Sequence, residues 1–285
     1  MERTVIIYHG GCPDGFGGAF AAWKKFGESA SYIEAKHGQP PPVDVTGAQV
    51  YLIDFCYRKE VMDELLAKTA SLVVLDHHEG VKDVVTSMPD YVYDANRSGA
   101  SIAWSYFHEG TELPELLRYV EDDDLFRFSL PETRAIITYL TAHPFSFESW
   151  QTVEEALATP SLREALLAKA HAYEEYFLLL AELSVDHAKL IHFEGYDCYF
   201  ATAHPFKPMK SLVGNLLAKK KGPFALVVSA HPLGLGVSIR GDGSVDVAKV
   251  AEKYGGNGHP MSAGFSLPFG TPMPWTFLEK DRAED

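Results

Sequence analysis

The stretch Leu72-Val73-Val74-Leu75-Asp76-His77-His78 decides how this chain is read. Its apolar run is too short for a helix and rich in β-branched residues, so it predicts a strand buried on both faces. The run then ends abruptly in a carboxylate and two imidazoles. A carboxylate carried into a protein interior is costly unless it is ion-paired, hydrogen-bonded or bound to a cation. An acid followed by two histidines supplies the donor atoms of a metal site.

The same pattern recurs on either side. Val50-Tyr51-Leu52-Ile53 is followed by Asp54, and Thr4-Val5-Ile6-Ile7-Tyr8 by His9-Gly10-Gly11-Cys12-Pro13-Asp14-Gly15-Phe16-Gly17-Gly18. In open parallel sheets, ligands bind beyond the carboxyl ends of the strands, where such residues would converge. For Asp54 alone a helix cap is the competing reading, and for the first loop a glycine-rich turn with a capping Asp. The repetition favours metal. A fourth acidic cluster, Asp122-Asp123-Asp124, follows an amphipathic segment at 116–120. Charge runs are ordinarily solvated. The next residues, Leu125-Phe126-Arg127-Phe128, imply packing that would turn one carboxylate inward.

Strands are predicted at 4–8, 50–53, 72–75 and 91–93, and helices at 16–26, at 61–68 and from about 99. This alternation belongs to an α/β fold with a parallel sheet covered on both faces. Helical spacing then runs through 147–188, with Pro160 as its only breaker. Strands return at 198–203, 224–229 and 235–239, with helices at 211–220 and 245–254. The expected organisation is a parallel-sheet N-terminal domain (1–146), a helical connector (147–190) and a smaller α/β C-terminal domain (191–285), with the active site in the interdomain cleft. The acidic tail after Phe277 is expected to fray.

Hard oxygen donors mixed with imidazole suit manganese or magnesium better than a closed structural zinc site. Two cations sharing a carboxylate, about 3.5–4 Å apart, would clamp a phosphoryl group and activate a water for in-line attack.

Two strings carry a family resemblance. Leu75-Asp76-His77-His78, preceded by Tyr8-His9, Asp14-Gly15 and Leu52-Ile53-Asp54, resembles the DHH phosphoesterase family of RecJ-type exonucleases, nanoRNases, cyclic-dinucleotide phosphodiesterases and exopolyphosphatases. Tyr254-Gly255-Gly256-Asn257-Gly258-His259 resembles the glycine-rich signature of the domain that accompanies it. The resemblance implies a catalytic triplet Asp76, His77 and His78, and two divalent metal ions, manganese first, with magnesium, zinc or iron as alternatives. It implies that Asp54 bridges them, that His9 helps to hold one, and that Asp14, His77 and Asp122 hold the other, with Asp124 in reserve. Asp76 would orient a histidine, and His78 would sit by the phosphate. Many members have an Asp where Cys12 stands. A thiolate there would favour a softer metal, whereas a small buried Cys would have no metal role.

Gly255, Gly256, Asn257, Gly258 and His259 are expected to present backbone N–H groups and an imidazole to an anion. Arg240 would grip a terminal phosphate with its planar fork, as the family pattern also suggests. The substrate expected is therefore a short nucleic acid or nucleotide. With 39 acidic against 25 basic residues and a formal charge of -14, the chain would repel long duplex DNA. Apolar residues make up 46% of the chain, but no run approaches the roughly 20 needed to span a bilayer, so no membrane partner is expected. Three scattered cysteines and a start that reads as a β-branched run, not a basic, apolar leader, make a cytoplasmic setting the expectation. Its oligomeric state is left open.

The function expected is metal-dependent hydrolysis of short oligonucleotides or dinucleotides to nucleoside monophosphates. An exopolyphosphatase or nucleotide phosphatase of the same family is the alternative, followed by a non-catalytic nucleotide-binding module.

Overall fold

The computed structural model describes residues 3–36 and 38–278; the acidic tail at 279–285 lies outside them. The chain divides into two compact units, 1–174 and 175–285. No helix among the described residues is long and apolar enough to cross a membrane.

The first unit runs β1 (Thr4–His9), α1 (Pro13–Phe26), β2 (Ala30–Ala35), β3 (Gln49–Ile53), α2 (Lys59–Lys68), β4 (Ser71–Asp76), α3 (Lys82–Thr86), β5 (Tyr91–Tyr93), α4 (Gly99–Phe107), α5 (Glu115–Asp124), α6 (Thr133–Thr141) and α7 (Phe147–Ala158). Its five strands form one parallel sheet in the order β2-β1-β3-β4-β5. Alternate residues of each strand feed opposite faces, the strand period of two. Ile6, Tyr51, Ile53, Val73 and Leu75 pack against α1, α4, α5, α6 and α7. Val5, Ile7, Val50, Leu52, Leu72 and Val74 pack against Met62 and Leu65 of α2 and Val85 of α3. Burial on both faces explains why the strands read as unbroken apolar runs.

The chain leaves β1 toward β2 on one side and then returns to β3 on the other. The order therefore reverses between β1 and β3, and the crevice beyond their carboxyl ends is where this architecture binds ligands.

The helical stretch predicted at 147–190 is two helices, α7 and α8 (Pro160–Asp186), with Pro160 opening the second, where a missing N–H costs nothing. Trp150, Val153, Leu157, Leu166 and Ala170 belong to the core of the first unit, whereas Ala181 belongs to a core of the second.

The second unit continues with β6 (Lys189–Phe193), β7 (Tyr196–Thr202), α9 (Lys207–Lys220), β8 (Phe224–His231), β9 (Gly234–Gly241), α10 (Val247–Glu252), β10 (Asn257–His259), β11 (Ser262–Pro268) and β12 (Thr276–Phe277). Its seven-stranded sheet has the order β10-β11-β9-β8-β7-β6-β12, with β7 and β8 parallel and the other pairs antiparallel. Ala225 and Val227 face Val213 and Leu217 of α9, while Phe224, Leu226 and Val228 face Val247, Val250 and Ala251 of α10.

Candidate metal centre

Three neighbouring strand ends build the centre. His9 closes β1, Asp54 follows β3 at once, and β4 ends in Asp76 before His77 and His78. Asp54 turns the chain through φ 55°, a left-handed conformation that Asp tolerates better than bulkier residues, and its N–H is held by the Leu75 carbonyl at 2.9 Å. The buried carboxylate divides its attention. Oδ2 lies 3.2 Å from His9 Nδ1, and Oδ1 lies 3.2 Å from His77 Nε2 and 3.5 Å from His78 Nδ1.

Asp14 is equally buried, in the first turn of α1. Its Oδ2 accepts from Gly99 N at 2.7 Å and its Oδ1 from Ala100 N at 2.8 Å, so the N–H groups that open α4 hold it in place. Oδ2 also lies 3.6 Å from His77 Nε2. Asp124, at the end of α5, brings its Oδ2 within 3.5 Å of the same nitrogen. One imidazole nitrogen thus faces three carboxylates.

Asp76 works on the other histidine. Its Oδ1 accepts from the backbone N–H of His77 and His78 at 2.7 and 2.9 Å and lies 2.9 Å from His78 Nδ1. Its buried Oδ2 has no hydrogen-bond partner among the described residues. Fixing Nδ1 in this way leaves Nε2 as the His78 ring nitrogen that Asp76 does not engage.

The electrostatics record crowding of like charge. Burial, together with Asp124 and Asp54, pushes the Asp14 carboxyl well above its ordinary value. Burial also disfavours charge on Asp54, yet hydrogen bonds from His77 and His9 hold it below the usual carboxylate range. For His77, burial is outweighed by the hydrogen bond to Asp54 and the charges of Asp14 and Asp124, which push it up to about 9. A divalent cation would relieve this repulsion. Three donor sets could hold one: His9, Cys12 and Asp54; Asp54, His77 and His78; and Asp14, His77 and Asp124. Within each set the donor atoms lie within 4.8 Å of one another. Oxygen donors mixed with imidazole fit manganese or magnesium, and Cys12 adds one soft donor to the first set.

Of the acidic cluster it is Asp124, and not the expected Asp122, whose carboxylate the structure brings to His77. The buried Asp122 carboxylate accepts from Ser129 N and Oγ at 2.9 and 2.6 Å, from Leu130 N at 3.1 Å and from Thr133 Oγ1, and it ties down the loop after α5. Burial opposes its charge, but these donors hold it down at about 2. Gly17 and Gly18, read as part of a ligand-facing loop, lie inside α1 and serve packing. A Cβ at Gly18 would meet Ile53 Cγ2 at 2.3 Å.

In the second unit Arg240 is buried, donating to Ile239 O at 3.0 Å and Ser211 Oγ at 2.8 Å. Among the described residues no carboxylate lies within 4.0 Å of it, a buried cation without a counter-ion. The glycine-rich run behaves differently from expectation. The N–H groups of Gly255 and Gly256 are taken by the carbonyls of Glu252 and Ala251, and so are not offered to an anion. Gly255 instead supplies the left-handed turn, φ 72°, that ends α10. Arg240 and His259 both stand opposite Ser262, on the two strands flanking β11, so they share one row and one face of the sheet.

Residues 201–271 match the DHHA1 domain. An uncharacterized protein, R106, of Acanthamoeba polyphaga mimivirus is 28% identical over 171 residues, 54% of this chain and 41% of that protein, so the match spans about two fifths of the relative's length. Among solved structures, the pGpG-specific phosphodiesterase PggH of Vibrio cholerae superposes with a TM-score of 0.53 at 12% identity, covering 94% of each chain. RecJ of Thermus thermophilus in complex with Mn2+ gives 0.53 at 13% identity over 93% of this chain and 49% of that one. A DHH domain from a member of the S1p family of ribosomal proteins gives 0.57 at 14% identity over 99% and 84%. Such low identities establish the fold, and the domain match adds the accompanying module. The chain shares the fold of these structures and matches the DHHA1 domain in its second unit.

Two supports of this centre escape the sequence reading. A Cβ at Gly99 would stand 2.6 Å from Asp54 Cβ and 3.0 Å from Asp14 Oδ2, so only glycine lets α4 approach both acids. Glu121 braces the same helix start, its Oε2 accepting from Ser98 N at 3.1 Å and from Ser101 Oγ. The short Ser98-Gly99 step before an apolar helix, an N-cap followed by a glycine, is the only hint the sequence holds.

Proposed function

We propose that this chain is a divalent-metal-dependent phosphodiesterase that hydrolyses short oligonucleotides or linear dinucleotides to nucleoside monophosphates. The observation that carries this reading is the convergence of Asp14, Asp54 and Asp124 with His9 and His77 beyond the strand ends. His9, Asp54 and Cys12 would hold one cation, and Asp14, Asp54, His77 and Asp124 the other, with manganese as the working ion. When bound, two cations polarise the phosphoryl group and make an attacking water acidic enough to serve as nucleophile near neutral pH.

The protein's own groups do the remaining work. Asp54, hydrogen-bonded to histidines on both oxygens, is the carboxylate placed to be shared. Asp76 fixes the His78 ring by Nδ1, leaving Nε2 of the protonated ring to donate a proton to a phosphate oxygen or the departing ribose oxygen. Arg240, buried with no carboxylate within 4.0 Å among the described residues, and His259 in the same row would supply a second anion-directed feature for a terminal phosphate.

The substrate class is supported by charge and by the relatives. A net charge of -14 disfavours long polyanions, whose binding rests on many basic contacts. PggH is a pGpG-specific phosphodiesterase and RecJ an exonuclease, which favours a nucleotide-type substrate. An exopolyphosphatase-related protein of Bacteroides fragilis, with a TM-score of 0.52 at 13% identity, marks the second reading. A cytoplasmic setting is part of the proposal, in keeping with the buried thiols of Cys56 and Cys198.

Turnover of pApA, a five-nucleotide RNA, polyphosphate and adenosine 3′,5′-bisphosphate with manganese tests this assignment. AMP release from pApA and mononucleotides from the RNA are expected. Turnover of polyphosphate or the bisphosphate, with none of the first two, would overturn it.

A further inference from the structure

Immediately after Asp124 the chain does something costly. Phe126 and Phe128 have φ values of 54° and 47°, a strained region that bulky side chains rarely enter. The loop is nevertheless firmly held. Phe126 N donates to Asp123 O at 2.9 Å, and Arg127 N and Phe128 N donate to Asp122 O at 2.9 and 3.3 Å. The Asp122 carboxylate then clasps Ser129, Leu130 and Thr133 beyond it. Arg127 fastens the outer side, its guanidinium donating to Asn96 O at 2.6 Å.

What this anchoring presents is an aromatic ring to solvent. Phe126 is 67% exposed, so core burial does not offset its strain. Its ring is braced edge-on by Phe128, with centroids 4.8 Å apart and planes at 82°, and Arg134 sits 5.4 Å over the Phe128 ring. An edge-braced ring keeps a flat face open. Phe126 is two residues beyond Asp124, so their Cα atoms are separated by at most roughly 7.6 Å. A strained, rigid and exposed aromatic beside a phosphate-directed metal centre has the properties of a stacking platform, because every nucleobase offers a π face.

We infer that Phe126, backed by Phe128 and held by Asp122, stacks on a nucleobase of the substrate next to the scissile phosphate. The inference deepens the phosphodiesterase reading and rests on it. Stacking recognises a planar base with little regard to its identity, which gives the site preference for nucleotides over base-free phosphates.

The manganese-loaded full chain and its Phe126→Ala and Phe126→Trp variants are compared on pApA and on the same 5′-phosphorylated dinucleotide backbone lacking both bases. Wild type is expected to prefer pApA in KM by roughly 5- to 150-fold, the range for one base stacked on an aromatic. Phe126→Ala is expected to lose that preference and Phe126→Trp to keep it. The added indole of Phe126→Trp, read as a difference from wild type, should be quenched by AMP and not by ribose 5-phosphate. An undiminished preference in Phe126→Ala, or an indole indifferent to AMP, would overturn the platform. If wild type cleaves neither dinucleotide while AMP still quenches the indole, the phosphodiesterase reading fails and base stacking survives as nucleotide binding.

Discussion

Replacing Gly99 by Ala adds one methyl group where three protein elements meet. The new Cβ would lie 2.6 Å from Asp54 Cβ, 3.1 Å from Asp54 Cα and 3.0 Å from Asp14 Oδ2. Carbon atoms rest at about 3.5 Å or more, so Asp54 or the start of α4 must retreat by roughly 0.9 Å. Asp54 has little freedom to do so, since its N–H is fixed to β4 and both carboxylate oxygens face histidines. Retreat of α4 instead lengthens the 2.7 and 2.8 Å bonds that hold Asp14. Either path displaces a metal-facing carboxylate. A displacement near 1 Å costs about 100-fold in rate, and loss of a bond that orients a ligand costs about 10- to 100-fold in metal affinity. Overpacking should remove about 1–3 kcal/mol of stability. Manganese affinity by calorimetry, kcat on pApA and the urea midpoint separate these effects. A folded Gly99→Ala protein with wild-type manganese affinity and wild-type kcat would refute the argument that α4 positions the centre.

Asp124→Asn should weaken manganese binding and lower kcat by 100-fold or more while leaving the urea midpoint unchanged or raised, because it relieves repulsion among the clustered carboxylates. Asp122→Ala should instead cost about 1–3 kcal/mol of stability by stranding the Ser129, Leu130 and Thr133 donors, and the opposite pattern would return the ligand role to Asp122. Cys12→Asp should raise manganese occupancy and activity, and the wild type should take zinc or iron more tightly at the set it shares with His9 and Asp54; equal manganese occupancy and activity in both proteins would remove the thiol from the site. Glu115 and Arg163 form paired 2.7 Å bonds that hold the carboxyl below its ordinary 4.5, so this roughly 0.5–1 kcal/mol of stability is present in full above pH 4.5 and fades as the pH falls below it. Thermal melts of wild type and Glu115→Gln should converge on acidification, and a constant gap would argue against the pair.

The parallel sheet was legible because its strands are buried on both faces, so 4–8, 50–53 and 72–75 stand out as unbroken apolar runs that stop at His9, Asp54 and Asp76. The edge strand Ala30–Ala35 was not, since its half-exposed residues show no such run. The short strands Lys189–Phe193, Asn257–His259 and Thr276–Phe277 went unread for the same lack of sustained pattern, as did helix Thr133–Thr141, whose apolar face lies among polar neighbours. Choosing between Asp122 and Asp124 needed the extent of α5. Once the helix reaches Asp124, Leu116, Val120 and Asp124 fall at intervals of four on one face, a signal present in the sequence. Three acids in the last turn of that helix also oppose its dipole, which points to a cation nearby. The burial of Asp122 depends on a loop folding back from Ser129 to Thr133, and the need for Gly99 depends on how closely α4 meets β3. Neither is a local property of the chain.

The central claim is that the acids and histidines beyond β1, β3 and β4 hold divalent cations that hydrolyse a phosphodiester. Turnover of pApA by EDTA-stripped protein, measured before and after manganese is restored, tests it most directly. No AMP is expected from stripped protein, with full recovery on manganese in the wild type and none in Asp54→Asn. AMP release that survives stripping, or that manganese restores equally in Asp54→Asn, would contradict it.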